Sequence, residues 1–181
     1  MAVLAEHYKK TVVPALKTQF GYSNVHEVPR LEKVVLNVGI PAGSKDPKIA
    51  ETAEQVLRRI TGQQPVKTLA KKAISNFKIR QGMVVGLMVT VRGKRMEALV
   101  EKLIHITLPR VRDFRGLSPK TLDGRGNLSI GFKEFTAFPE IAPDEVERLH
   151  GLEVTVVTTA KTYDEGYALL KLLGFPIKES T

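Results

Sequence analysis

Two stretches of this chain combine residue types that can grip a phosphate chain. In AKKAISNFKIRQG, residues 70–82, Lys71, Lys72, Lys78 and Arg80 surround a single aromatic ring, Phe77. Cations neutralise phosphates, and an exposed ring stacks on an unpaired base, a contact worth roughly 1–3 kcal/mol per base. The competing reading folds Phe77 and Ile74 back as an apolar anchor for the loop, leaving the four cations to carry the phosphate chemistry. In LPRVRDFRGLSPKTLDGRGN, residues 108–127, Arg110, Arg112, Arg115, Lys120 and Arg125 are spread among Pro109, Gly116, Pro119, Gly124 and Gly126. A segment that long without regular structure is uncommon in a compact domain unless it has a task. Its arginines can fork onto phosphate oxygens, and Asp113 and Asp123 either orient them or hold the loop by internal ion pairs.

Catalytic chemistry has little to work with. The phosphate-loop pattern of NTPases is absent, and the glycines of GRGN do not continue as a dinucleotide fingerprint after a strand. His7, His26, His105 and His150 are scattered without paired ligand spacing, which favours surface or packing roles over metal binding. Asp113 and Asp123 are each flanked by arginines that would compete with Mg²⁺ for the carboxylate, so a nuclease centre is disfavoured. Cysteine is absent, which removes disulfides, thiolate metal sites and cysteine nucleophiles together. The chain is expected to be no enzyme and to need no cofactor or metal.

Charge is unevenly divided along the 181 residues. Residues 1–66 carry 9 basic and 6 acidic side chains, residues 67–133 carry 15 and 4, and residues 134–181 carry 4 and 9. The net +9 is therefore concentrated in the middle third. Such a block is the footprint of a phosphate-rich partner, because each neutralised phosphate releases condensed counterions. With 43% hydrophobic and 26% charged residues the composition is that of an ordinary folded protein, and one domain over residues 1–181 is expected. The N-terminal apolar patch before Glu6 is too short for a secretory signal, and the longest apolar stretch, residues 83–91, is far below the ~20 residues of a membrane span. A cytoplasmic protein without a membrane partner is the simplest reading.

The elements that must hold these cations are legible from periodicity. YKKTVVPALKTQF has helical spacing, with Pro14 kinking it or opening its second part. RLEKVVLNVG alternates, as a half-buried strand does, with Val34, Leu36 and Val38 on one face. Asp46 and Pro47 predict an N-cap and first turn for a helix whose stripe is Ile49, Ala53, Val56, Leu57 and Ile60, ending at Gly62. PVKTLA and VGLMVTVRG read as strands that form a long hairpin around the first basic segment. RMEALVEKLIHITL is helical, with Pro109 stopping it. NLSIGFK and EVTVVTTA are further strands, and Thr162 with Glu165 forms a capping box for a last helix ending at Gly174. This order predicts an α+β fold: a mainly antiparallel five-stranded sheet with helices packed on one face and the other face open. That open face collects Lys33, Asn37, Thr90, Arg92, Ser129 and Lys133, a polar and basic surface able to meet RNA. The aromatic signature of the common RNA recognition motif is missing.

Several runs, in order, carry a family resemblance: QFGYSNVHEVPRLEKVVLN ending at Asn37, KKAISNFKIRQGMVVG over residues 71–86, the segment at residues 108–127, FPEI at 138–141 and VTTAKT at 157–162. They closely resemble bacterial ribosomal protein five of the large subunit, the 5S rRNA-binding family, across essentially the whole chain. The resemblance implies a structural role in the central protuberance, binding 5S rRNA and a 23S rRNA hairpin, beside neighbouring large-subunit proteins. By motif match, Asn37, Gln63 and Thr90 look like polar residues of the 5S rRNA contact, alongside Lys33, Arg92, Ser129 and Lys133 of the open face. The family segment matching the first basic loop, with Lys71, Lys72, Ser75, Asn76, Phe77, Lys78 and Arg80, reaches the elbow of P-site tRNA. The family also bridges to a protein of the small-subunit head, and Arg110, Arg112, Arg115, Lys120 and Arg125 are assigned to an rRNA or intersubunit loop. Ala73 stands where a serine is common and Val84 where a proline is common, and residues 135–137 depart from the usual text before FPEI. A nonspecific nucleic-acid-binding protein is the alternative that charge alone would allow.

Overall fold

Alternation along β1 (Leu31–Gly39) buries Val34, Leu36 and Val38 and turns Lys33, Val35 and Asn37 to the other side. The computed structural model in which this is seen describes residues 3–40, 47–141 and 150–178. The same period of two buries Leu87, Val89 and Val91 on β3 (Val84–Val91), Leu128, Ile130 and Phe132 on β4 (Leu128–Phe132), and Leu152, Val154 and Val156 on β5 (Leu152–Thr158). With the short β2 (Val66–Leu69) these strands form one five-stranded sheet in the order β2-β3-β1-β5-β4. β2 and β3 pair antiparallel, Val66 opposite Met88 and Thr68 opposite Gly86, with a register shift between Thr68 and Leu69. The hairpin expected around the first basic segment therefore forms, and the fold is the α+β class with an antiparallel sheet.

The helices follow the apolar stripes. α3 (Pro47–Thr61) buries Ala53, Val56, Leu57 and Ile60 and ends at Gly62, whose φ of +66° suits glycine and whose N–H donates to Arg58 O at 2.8 Å. The expected N-cap, Asp46, lies outside the described residues. α6 (Tyr163–Leu172) starts from the expected capping box: Thr162 Oγ1 accepts from the Glu165 N–H at 3.4 Å, and Glu165 Oε2 accepts from the Thr162 N–H at 3.3 Å.

The two helix prolines meet their expectations differently: Pro14 marks the start of the second part of its helix, one of the two roles expected of it, whereas Pro109 lies inside its helix. α1 (Val3–His7) runs through a π-helical turn, Tyr8–Val12, into α2 (Val13–Phe20), which carries Pro14 in its first turn. α4 (Gly93–Lys102) runs through a second π-helical turn, Leu103–Thr107, into the short α5 (Leu108–Arg110), which carries Pro109 in the same place. Pro109 therefore does not stop the helix; one further turn follows the wider one. A π turn shifts the hydrogen-bond pattern by one residue, so the ring of the following proline is spared the carbonyl it would otherwise strike and its missing N–H breaks no α-helical bond.

Internal packing divides the chain into two units. The first comprises Met1–Val34, Val91–Ile130 and Thr155–Thr181, and the second Val35–Thr90 and Gly131–Val154. In the first, α1 packs on α4 and α2 on α6 over Val12, Leu16, Leu99, Val100, Leu103, Leu108, Leu169 and Leu170. In the second, α3 and the β2–β3 hairpin accompany a core that includes Leu36, Leu57, Leu87, Phe135 and Phe138. Phe135 is fully buried and starts a 3-10 turn, Phe135–Ala137, so the segment that departs from the family text is a packing element. Each fully buried Leu or Phe contributes about 1.5–3 kcal/mol, which makes these side chains the main stabilising term.

Candidate nucleic-acid interface

The first basic segment is an ordered extension of the β2–β3 hairpin in the second unit. Its neck is closed by Ala70 N–H to Met83 O at 2.8 Å and Gly82 N–H to Ala70 O at 2.9 Å. Near the tip, Ile74 and Ile79 exchange backbone bonds of 2.9 and 3.1 Å around a 3-10 turn, Ser75–Phe77. Lys78 closes that turn in the left-handed region, φ +53°, where a residue with a Cβ is strained by roughly 1–2 kcal/mol. The Arg80 N–H donates to Met83 Sδ at 3.1 Å. Lys71, Lys72, Ser75, Asn76, Lys78 and Arg80 are all exposed. Phe77 is 62% and Ile74 45% exposed, so neither folds back as an anchor; both are presented outward among the cations.

On the side of the sheet away from the core, the second unit presents Asn37, exposed, Thr90, half-buried, and Lys133, exposed. Gln63 is half-buried just beyond α3, its N–H donating to Thr61 Oγ1 at 3.3 Å. Val66 and Met88 share that side and are also exposed, which the sequence reading did not single out. Gly86 lies between them and Val84: a Cβ there would meet Val38 O at 2.7 Å and Thr68 Oγ1 at 2.9 Å, so only glycine lets the strands close. Lys67, one residue from Val66, points to the core side, where Glu54 of α3 sits 3.7 Å from its ammonium.

In the first unit two cations assigned to the open face share one carboxylate. Lys33 Nζ lies 3.9 Å and Arg92 Nη1 3.6 Å from Glu32 Oε1. All three side chains reach solvent, so these pairs add little stability, but they lower the local positive potential. Ser129 Oγ lies 3.1 Å from Thr155 Oγ1, a hydroxyl pair on adjacent strands. Thr155 was missed, although the alternation of EVTVV already turned it outward; only the strand pairing sets it beside Ser129.

The second basic segment, also in the first unit, is stitched down far more than its composition implies. Arg110, Arg112, Arg115, Lys120 and Arg125 are all exposed, while Leu117 and Leu122 are buried. Leu117 bonds to the C-terminal strand-like stretch, its N–H to Pro176 O at 2.8 Å and its O from the Lys178 N–H at 2.9 Å. Asp123 holds the DGRGN turn through N–H groups, where ion pairs were expected: it accepts from Arg125 N–H at 2.9 Å, Asn127 N–H at 2.8 Å and the Asn127 side-chain amide at 2.8 Å. Burial alone would raise its pKa, but those bonds and the nearby Arg125 charge outweigh it and hold the carboxyl below its usual range. Asp113 is exposed with φ +53°. Thr158 Oγ1 donates to Gly126 O at 3.0 Å, and its N–H donates to Asn127 Oδ1 at 3.0 Å. A Cβ on Gly126 would come within 2.6 Å of Gly166 Cα, so the turn rests directly on α6. VTTAKT and DGRGN, two of the runs that carried the resemblance, are thus partners in packing.

Two titrating groups in this unit are shifted in opposite directions. Burial pushes the Tyr22 phenol well above its ordinary range, with the Glu165 carboxylate adding to the effect. For Glu165, burial would raise the pKa, but the Tyr22 hydroxyl and the N–H groups of Lys161, at 2.8 Å, and Thr162 outweigh it and lower it. Among the described residues no three His, Asp or Glu side chains gather in a way that could hold a metal ion, and no helix is long and apolar enough to cross a membrane.

Known proteins match this sequence along nearly its whole length. Residues 24–80 match the family described as ribosomal protein L5, and residues 84–177 match the model of that ribosomal family's C-terminus. The large ribosomal subunit protein uL5 of Halothermothrix orenii is 52% identical over 179 residues, 99% of this chain and 100% of the relative. The protein of the same name from Thermotoga maritima is 53% identical over 175 residues, 97% of this chain and 95% of the relative, and that of Desulfotalea psychrophila is 50% identical over 179 residues, 99% of this chain and 100% of the relative. Two successive family models and half-identical relatives of equal length leave one assignment: the chain belongs to the ribosomal protein L5 family, whose members are structural, non-enzymatic constituents of the large ribosomal subunit.

Proposed function

We propose that this chain binds 5S rRNA through the open side of its strands and helps attach it to 23S rRNA in the central protuberance. The observation that carries the reading is the alternation of β1 and β3, which turns Asn37 and Thr90 away from the core residues Leu36, Val38, Val89 and Val91. Amide and hydroxyl groups of that kind read base edges and ribose hydroxyls, while Lys33, Arg92 and Lys133 supply phosphate contacts. The hairpin extension, with exposed Phe77 among Lys71, Lys72, Lys78 and Arg80, is suited to a second RNA, and we assign it to P-site tRNA. The arginines at 110, 112 and 115 are assigned to rRNA or to the bridge with the small-subunit head.

The test is binding of the purified chain to 5S rRNA in moderate salt, against unrelated RNA of equal length and against duplex DNA. A preference for 5S rRNA is expected. Equal affinity for all three would replace this reading with nonspecific nucleic-acid binding.

A further inference from the structure

The open side of the β2–β3 hairpin is not uniformly polar. Val66 is 63% and Met88 37% exposed, and the register sets them directly opposite each other. Thr68 and Gly86 form the next cross-strand pair on that side, and Asn37 and Thr90 face the same way from β1 and β3. An apolar pair on the side of a sheet that faces away from its core needs a reason, because a polar residue at either place would fold as well.

The surroundings identify the chemistry of what covers it. No Asp or Glu occurs between Glu54 and Glu97, while Lys71, Lys72, Lys78 and Arg80 lie on the extension of this hairpin. A second copy of a chain with net charge +9 would be repelled from such a surface. A polyanion is drawn to it, and the parts of a polyanion that tolerate Val and Met are its bases. We propose that Val66 and Met88 form an apolar platform on which an unstacked base of the bound RNA is seated, with the amide and hydroxyls of Asn37, Thr68 and Thr90 at its edge. The proposal rests on the RNA-binding reading above and assigns to that site a contact which the phosphate-gripping cations do not make. Val offers a flat branched face, and the polarisable Met sulfur makes favourable contacts with π-systems. Seating a base this way is insensitive to salt, since it releases no counterions.

The experiment compares 5S rRNA binding across a series of salt concentrations for the wild-type chain, Val66→Ser with Met88→Ser, and Val66→Leu with Met88→Leu. The serine pair is expected to bind about tenfold more weakly with an unchanged slope of log affinity against log salt. The leucine pair, which keeps the platform apolar, is expected to bind within about twofold of wild type. Wild-type affinity in the serine pair overturns the proposal, as does a loss accompanied by a shallower slope or shared equally by the leucine pair. Should the wild-type chain fail to prefer 5S rRNA over unrelated RNA, the proposed function falls. A serine-pair loss on that unrelated RNA would still support the platform, and equal affinities there would overturn it.

Discussion

Residues 70–82 and 108–127 look alike as text, each rich in Lys or Arg and carrying glycine, yet they are opposite kinds of structure. The first is a hairpin extension whose ordering bonds are its own, closed at Ala70 and Met83 and again at Ile74 and Ile79, with Ile74 and Phe77 left outside. The second is fastened to its surroundings by buried Leu117 and Leu122, by the backbone bonds of Leu117 to Pro176 and Lys178, by Thr158 bonding to Gly126 and Asn127, and by the close approach of Gly126 to Gly166. Cation density reports what a segment can bind; it does not report whether the segment is a projection or part of the packing. The glycines make the point sharply, since a Cβ on Gly82 meets nothing within 4 Å whereas one on Gly166 would lie 2.2 Å from Gly126 Cα.

That contrast can be broken by substitution. Gly166→Ala should have the largest effect, about 3 kcal/mol of lost stability in urea unfolding, because backbone on both sides must move. Gly82→Ala, strained only by its φ of +84°, should cost roughly 1–2 kcal/mol. Equal costs at the two sites would erase the distinction drawn here. Asp123→Ala should lose about 1–2 kcal/mol, since three N–H donors are left to water at an exposed turn.

The same carboxylate predicts a pH dependence. The pKa values of Asp123 and Glu165 are both lowered in the folded chain, so the stability they contribute is present above the ordinary carboxylate range and is lost as pH falls through their folded values. Unfolding midpoints followed downward from neutral pH should therefore fall less steeply in Asp123→Asn than in the wild type. In the first basic segment, Phe77→Ala with Lys78→Ala should leave the unfolding midpoint and 5S rRNA affinity within error of wild type while weakening tRNA contact on assembled ribosomes. Loss of both activities together would refute the division of labour. The smallest effect is expected from Glu32→Gln: stability within about 0.5 kcal/mol, and RNA affinity slightly raised as Lys33 and Arg92 are released from their shared carboxylate. An affinity that fell would show that the carboxylate itself contacts the ligand.

Much of the fold was readable in advance because the signals are local. Val34, Leu36 and Val38, or Leu128, Ile130 and Phe132, declare a buried strand face by alternation alone, and Thr162 with Glu165 declares a helix start by spacing alone. The proline at 109 misled because a proline is read as a break unless the turn before it is known to be wider. Asp123 was read as an ion-pairing group because arginines are its neighbours in sequence; its actual partners, the N–H groups of Arg125 and Asn127, become available only once the chain turns back on itself. Val66 and Met88 went unremarked because apolar residues in a strand are read as core, although the alternation that turns Thr90 outward turns Met88 the same way; only the pairing adds Val66 beside it.

The order of residue types thus determined, without help, the class of fold, the basic middle third and the family, since periodicity, charge and contiguous text survive in one dimension. Which basic segment projects and which is packed, which carboxylate faces which cation, and which glycines must stay glycine were decided by the tertiary structure. Those properties depend on atoms brought together from distant parts of the chain, as Gly126 and Gly166 are, and no local signal encodes how closely two backbones will pass.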